Sequence, residues 1–321
     1  MSVDNPKISV IIPCYNAGKT ISASLRSLVN QVYKDFEVII VNDGSTDNSA
    51  DVISSFSRTH NLNVVYVEQP NSGVSTARNN ALKKARGEYI TFLDADDLYD
   101  PYFLQDGIDK LEKNGVDISI CQYKFVTELN EAEGAISENY SRLDSHGLIE
   151  LYYHHRIQKV NFGGGVFKNS IIRKFELTFP TDIKYGEDSL FLCQYLIHCE
   201  NGGIYIQYPH YRYYMNPSSA TKMVTYQVVQ NIEASRRIDT LLRTDGMGLF
   251  TARAIWAATK GFSDNDEFFK RLTEEYDVKQ AMRIMSKKGD ERSIRISSLL
   301  YQINPKLFRF AIKQYQANKG Q

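Results

Sequence analysis

Apolar and polar positions alternate with two different periods along the first hundred residues. Residues Lys7 to Ile12 and Phe36 to Val41 are continuous apolar runs of strand length, and Asn63 to Val67 and Tyr89 to Leu93 repeat the pattern. Between them the period becomes helical. Ile21, Leu25, Leu28 and Val29 share one helix face, and a second helix runs to about Ser57. In a third helix Ala77, Ala81 and Ala85 form a small-residue stripe that lets it lie close to a sheet. Strands apolar on both faces, alternating with helices, predict a doubly wound, mostly parallel, Rossmann-like α/β sheet.

Further on, a helix is expected from Pro101 to about Lys113 and a strand from Asp117 to Cys121. Residues Thr127 to Ser145 are polar and aperiodic and read as a solvated loop or irregular hairpin, with an acceptor-side insertion as the other reading. Three glycines, Gly163 to Gly165, allow close backbone approach or a bulge within a strand. Leu190, Phe191, Tyr195 and Ile197 suit a helix, and Tyr205 to Tyr214 suits one or two strands. From Met223 onward the chain reads as helical. The expected division is 1–100, a nucleotide-sugar-binding half; 101–220, an acceptor-binding half; and 221–321, a helical C-terminal region.

Polar clusters recur where strands end: Pro13 to Tyr15, Asp43, Asn71, and Asp94-Ala95-Asp96-Asp97. A parallel sheet gathers such ends along one edge, where open α/β folds bind ligands. Three carboxylates within residues 94–97 repel one another unless a cation compensates them. A hard ion such as Mg²⁺ or Mn²⁺, arriving with a phosphate, would do so. The other reading is a solvated turn in which Asp97 caps a helix at Pro101. Neither a G-x-G-x-x-G nor a P-loop is present, so diphosphate binding would rest on metal and side chains such as Arg78.

Taken together, Pro13-Cys14-Tyr15-Asn16, Val41 to Asp47, Ser72 to Asn79, Phe92 to Asp97 and Gly186-Glu187-Asp188 resemble the motifs of family 2 glycosyltransferases of the bacterial surface-glycan type, in order and spacing. The resemblance covers roughly residues 7 to 215. It implies a GT-A fold and inverting transfer of a sugar from a UDP-sugar to a glycan, glycolipid or glycoprotein hydroxyl, with Mn²⁺ or Mg²⁺. Carried over, Pro13 and Tyr15 line the uridine pocket, and Asp43 accepts from the uracil N3–H. Asn71 and Arg78 border base and diphosphate, Asp94 faces ribose and sugar, and Asp96 ligates the metal. Asp188 is the implied base with Glu187 beside it; a helix N-terminus, where carboxylates are common, is the other reading of such a pair. Asn42 departs from the family's usual Asp. Tyr214 stands where the family's lid arginine is usual, so Arg212, two residues earlier on the same strand face, is expected to contact the phosphates, with Lys222 assisting. His210 is a candidate to complete the metal shell, with a packed surface histidine as the other reading.

Composition narrows the partners. Among 321 residues, 38 basic ones balance 38 acidic ones, so no global field recruits nucleic acid. Cys14, Cys121, Cys193 and Cys199 lack metal spacing and disulfide density, and Met1 to Lys7 contains no signal segment; both fit a cytoplasmic protein. No run of apolar residues is long enough to span a bilayer. Residues 287–321 carry eight Lys or Arg against Asp290 and Glu291, interleaved with Leu299, Leu300, Tyr301, Leu307, Phe308, Phe310 and Ile312. Such a segment suits peripheral contact with the inner face of a membrane, or assembly with a second subunit. A sugar nucleotidyltransferase would need a Gly-rich, Arg/Lys-bearing loop after the first strand, which Pro13 to Asn16 is not. The presence of Asp43, Asp96 and Asp188 together argues against a non-catalytic UDP-sugar-binding protein.

Overall fold

The computed structural model describes residues 5–60, 62–130, 133–154, 159–215, 226–244, 246–289 and 291–319. The chain divides into two compact units, 1–184 with 191–219, and 185–190 with 220–321.

The first unit is a mixed nine-stranded sheet. Strands β1 (Ile8–Cys14), β2 (Phe36–Asp43), β3 (Val64–Gln69) and β4 (Tyr89–Phe92) are mutually parallel, in the spatial order β3-β2-β1-β4. Helices α1 (Ile21–Val29), α2 (Ser49–His60) and α3 (Val74–Lys84) connect them. Every residue of β2 and all but Pro13 of β1 are buried, as strands covered on both faces must be. Ala77, Ala81 and Ala85 are buried as well, so α3 seats closely on the sheet.

Beyond β4 the direction reverses. Strand β8 (Val160–Lys168) pairs antiparallel with β4 on one side and with β6 (Ile118–Val126) on the other. Strand β6 runs parallel to the twelve-residue β9 (Gly203–Tyr214). Both β5 (Leu98–Tyr99) and β7 (Tyr140–Leu143) are antiparallel to β9. The glycine run lies inside β8. A Cβ on Gly163 would sit 2.4 Å from the Tyr211 ring, so here the glycine serves close approach. Helix α4 (Phe103–Asn114) covers the β6–β9 part of the sheet. Helix α5 (Ser145–Tyr153), started by the Asp144 side chain accepting from the Gly147 N–H, stands where the sequence pattern gave no helix. The chain also forms α6 (Asn169–Lys174), in this unit, and α7 (Glu187–Leu196), of which residues 191–196 belong to it. The four cysteines are buried thiols.

The second unit is helical: α8 (Gln230–Leu241), α9 (Leu249–Gly261), α10 (Asp266–Glu275), α11 (Val278–Lys288), α12 (Arg292–Ile303) and α13 (Pro305–Lys319). Its core is Ile232, Ile255, Trp256, Phe262, Leu272, Met282, Met285 and Phe308. Asn265 and Asp277 cap α10 and α11, each accepting from an N–H three residues on. No described helix is long and apolar enough to cross a membrane.

Candidate active site

The parallel half brings the ends of β1 to β4 to one edge, and the loops there are stitched together by side chains. Asn16 accepts from the Thr46 N–H, and Asp47 accepts from the Gly18 N–H at 2.9 Å and from Ser49. Gly44, at a φ of +70°, lets the backbone of Asn71 come close; a Cβ there would lie 2.7 Å from the Asn71 nitrogen. Pro13 lies near the end of β1 and exposed Tyr15 follows that strand on the same edge.

Asp43 is almost fully buried and already heavily engaged. One carboxylate oxygen accepts from Gln69 Nε2 at 2.7 Å and from the Ser72 N–H at 2.8 Å, and the other from the Gly73 N–H at 2.8 Å. The carboxylate thus holds the loop that carries Asn71 and launches α3. Two oxygens offer about four lone-pair directions, so an incoming N–H can still be accommodated. Asn42, the departure from the usual acid, bridges Tyr66 and the Ser45 N–H within the same loop system.

Arg78 is buried on α3, where the bare helix pattern allowed an exposed position. Its guanidinium pairs with Asp94 at 2.8 Å and packs near Phe162 and Phe179, 5.5 and 5.2 Å from their ring centres. One residue further along α3, Asn79 donates to and accepts from the backbone of Phe179, both at 2.8 Å, which fixes that ring.

The three carboxylates differ in their surroundings. The Asp94 side chain is 44% exposed, whereas Asp97 is buried. Tyr211 donates its hydroxyl to one Asp97 oxygen, and the Tyr214 N–H donates to the other at 2.8 Å. Asp97 therefore ties the loop to β9 and does not cap α4. Burial pushes the Asp97 carboxyl well above the ordinary range, and the charges of Asp94 and Asp96 push it further. Among the described residues no cluster of three or more His, Cys, Asp or Glu forms a metal cage. One or two carboxylates with hard oxygen donors fit a Mg²⁺ or Mn²⁺ that keeps substrate phosphates in its shell. They do not fit a metal held by protein alone.

His210 belongs elsewhere, and its reading as a metal ligand is corrected. The ring is fully buried, with Nδ1 2.9 Å from the carboxylate of Asp100 and Nε2 2.8 Å from Asp106. Lys110 also pairs with Asp106. Burial opposes the imidazolium, but the two carboxylates outweigh it and raise the His210 pKa. A ring with both nitrogens committed to carboxylates offers no lone pair to a metal. Arg212 lies on β9 opposite Leu98 and Lys124, and its guanidinium donates to the Glu133 carbonyl at 3.2 Å. Lys222 lies outside the described residues.

Glu187 and Asp188 open α7 as its first-turn acids. Asp188 accepts from the Ser189 N–H at 2.6 Å. Later in the same helix, Phe191 stacks on Phe179 with centroids 4.1 Å apart. Asp97, Phe162 and Phe179 are the supporting residues that motif reading did not select. Only the unusual run of acids at 94–97 signalled the first; nothing in the sequence marked the two rings.

A doubly wound parallel half whose strand ends carry a nucleotide-type edge, extended by an antiparallel half, is the GT-A architecture. Staphylococcus aureus TarS, residues 1–349 with UDP-GlcNAc, superimposes with a TM-score of 0.69 at 21% identity, covering 97% of this chain and 92% of that one. The chain belongs to Glycosyl transferase family 2, which it matches over residues 9–174. Glycosyltransferase GlyA of Streptococcus pneumoniae is 33% identical over 177 residues, 55% of this chain and 24% of that protein. The poly(ribitol-phosphate) beta-N-acetylglucosaminyltransferase TarP of S. aureus is 32% identical over 212 residues, 64% of this chain and 62% of TarP. The chain spans 24% to 64% of the length of the curated relatives it first matches.

Proposed function

We propose that the chain transfers a sugar from a UDP-sugar to a hydroxyl of a growing bacterial surface glycan, with inversion at the anomeric carbon. The observation that carries this reading is the strand end of β4, where Asp94 pairs with buried Arg78 and three carboxylates crowd one turn. Pro13, Tyr15, Asp43 and Asn71 surround the uridine in this reading, and Arg78 orients Asp94 toward the ribose and sugar. Asp188 takes the proton from the acceptor hydroxyl as its oxygen bonds to the anomeric carbon. The bond from that carbon to the diphosphate breaks with its electron pair leaving on UDP. A divalent ion held by Asp96 and the donor phosphates would neutralise charge developing on that leaving group. Nucleotide sugars are a cytoplasmic supply, which places the reaction there.

The acceptor class is supported by the family relatives that act on poly(ribitol-phosphate). The test is a panel of UDP-sugars with Mn²⁺, scored for UDP release, followed by mass spectrometry with candidate glycan acceptors. Release from one or two donors, and a mass increment of one sugar on an acceptor, supports the assignment. A chain that neither binds UDP nor hydrolyses any UDP-sugar is not this enzyme.

A further inference from the structure

The helical unit leaves apolar side chains in water along one line. On α12, Ile296, Leu299 and Ile303 follow helical spacing of three and four, and they are 53%, 49% and 78% exposed. On α13, Leu307 and Phe310 continue that spacing, the latter 60% exposed. Ile303 closes α12 and Leu307 lies in the first turn of α13, so both flank the corner at Pro305. The inner faces are already used, because Ile294, Tyr301, Phe308 and Ile312 are in the core. These outer residues are surplus to folding.

The charges around them are one-sided. Residues 278–319 hold ten Lys or Arg against two acids, and neither α12 nor α13 contains any acid. Arg309 pairs with Asp266, and Lys313 lies 3.4 Å from Asp264. Arg292, Arg295 and Lys306 are exposed and make no ion pair among the described residues. A cleft of 430 Å³ opens at the same corner, lined by Lys279, Arg283, Tyr301, Gln302 and Pro305, and has no acidic residue.

We propose that the α12–α13 corner docks on an anionic lipid bilayer, with Ile303, Leu307 and Phe310 entering the headgroup region and the surrounding cations facing lipid phosphates. An interfacial helix needs this combination of apolar and basic residues on one exposed face. A second copy of the chain is the weaker occupant. It would set two positive faces together without an acid on either helix to offset them. The inference goes beyond the proposed transfer reaction and does not depend on it.

Flotation of the full chain with vesicles of phosphatidylcholine, with and without phosphatidylglycerol, tests it. The wild type should float with anionic vesicles only, and release as salt is raised. Ile303→Asp with Phe310→Asp, and separately Arg295→Glu with Lys306→Glu, should each lower the floated fraction about tenfold while circular dichroism stays unchanged. All four positions are exposed, so folding should survive. No flotation of the wild type, or equal flotation with neutral vesicles, overturns the proposal. A dimer in solution that these variants convert to monomer, without vesicle binding, assigns the face to a second copy instead.

Discussion

Arg78 and Asp94 form an ion pair at 2.8 Å in which one partner is buried and the other faces the open sheet edge. The pair joins α3 to the end of β4, and Phe162 and Phe179 flank its guanidinium. A planar, delocalised cation suits that slot better than a compact ammonium. Arg78→Lys should therefore fail to restore the native site. We expect a loss of stability of about 1–2 kcal/mol from the weakened ring contacts, and a UDP-sugar affinity closer to that of Arg78→Ala than to wild type. Calorimetric titration beside thermal melts decides; wild-type affinity in the Lys variant would detach Arg78 from the donor.

Asp43 makes a sharper case. One oxygen faces two donors and the other faces a third, so an amide must turn its NH₂ toward an N–H whichever way it is flipped. Asp43→Asn should destabilise nearly as much as Asp43→Ala, by about 1–3 kcal/mol, and both should weaken UDP binding. A stable Asn variant that loses only UDP would give Asp43 a purely ligand-facing role.

The proposed reading makes donor binding metal-dependent through the crowded β4 end. Donor binding should weaken sharply in chelator and recover with Mn²⁺ or Mg²⁺. Asp96→Ala should lose most transfer while its melting temperature holds, since its side chain is not core. Full activity in excess chelator would remove the metal from the mechanism.

For Asp188, Asn separates a structural role from catalysis, because at a helix's first turn the lost charge costs only about 0.3–1 kcal/mol of dipole interaction. Asp188→Asn should keep its melting temperature and its UDP-sugar affinity, while transfer falls by about 10²–10⁴-fold as an amide cannot take the acceptor's proton. Near-normal transfer would move attention to Glu187.

The His210 network gives a pH-dependent stability. His210→Gln leaves Asp100 and Asp106 buried without their shared cation, a loss of about 3–5 kcal/mol near neutrality. His210 has a raised folded pKa, so its contribution is complete below about pH 6.5 and is lost as pH rises through that raised value. Asp106 is lowered: burial opposes its charge, but His210 and Lys110 outweigh that. Its share is present above the usual carboxylate pKa and lost only as pH falls through the depressed one. Melts of wild type and variant should converge on the alkaline side. A gap that stays constant there would mean the imidazole is held neutral.

The parallel half was legible because its strands are unbroken apolar runs and its helices have clear periodicity. Apolar runs end at Asp43 and just before Asp94, which marked the sheet edge in the sequence, whereas Arg78, inside α3, was named from the family resemblance. The antiparallel half was not. Nothing local to Val160–Lys168 says that it lies between β4 and β6, because that choice depends on pairing partners far away in the chain. Helix α5 is short and rich in aromatic residues, which blurs a helical pattern. His210 was misread for a related reason: Asp100 and Asp106, which claim both its nitrogens, lie more than a hundred residues earlier. The tether from Tyr211 to Asp97 spans a similar distance.

The insertion of β8 also sets an order of events during synthesis. Strands β1 to β4 can pair as soon as residue 92 has emerged, but β4 then has one unsatisfied side. Its partner positions, Val166 to Lys168, leave the ribosome only after β6 and α5 have been made. Throughout that interval the strand leading to Asp94 and Asp96 is an open edge, able to pair with a neighbouring nascent chain. The arrival of β8 thus ends the exposure of β4, and β9, made later, covers the far side of β6 in turn.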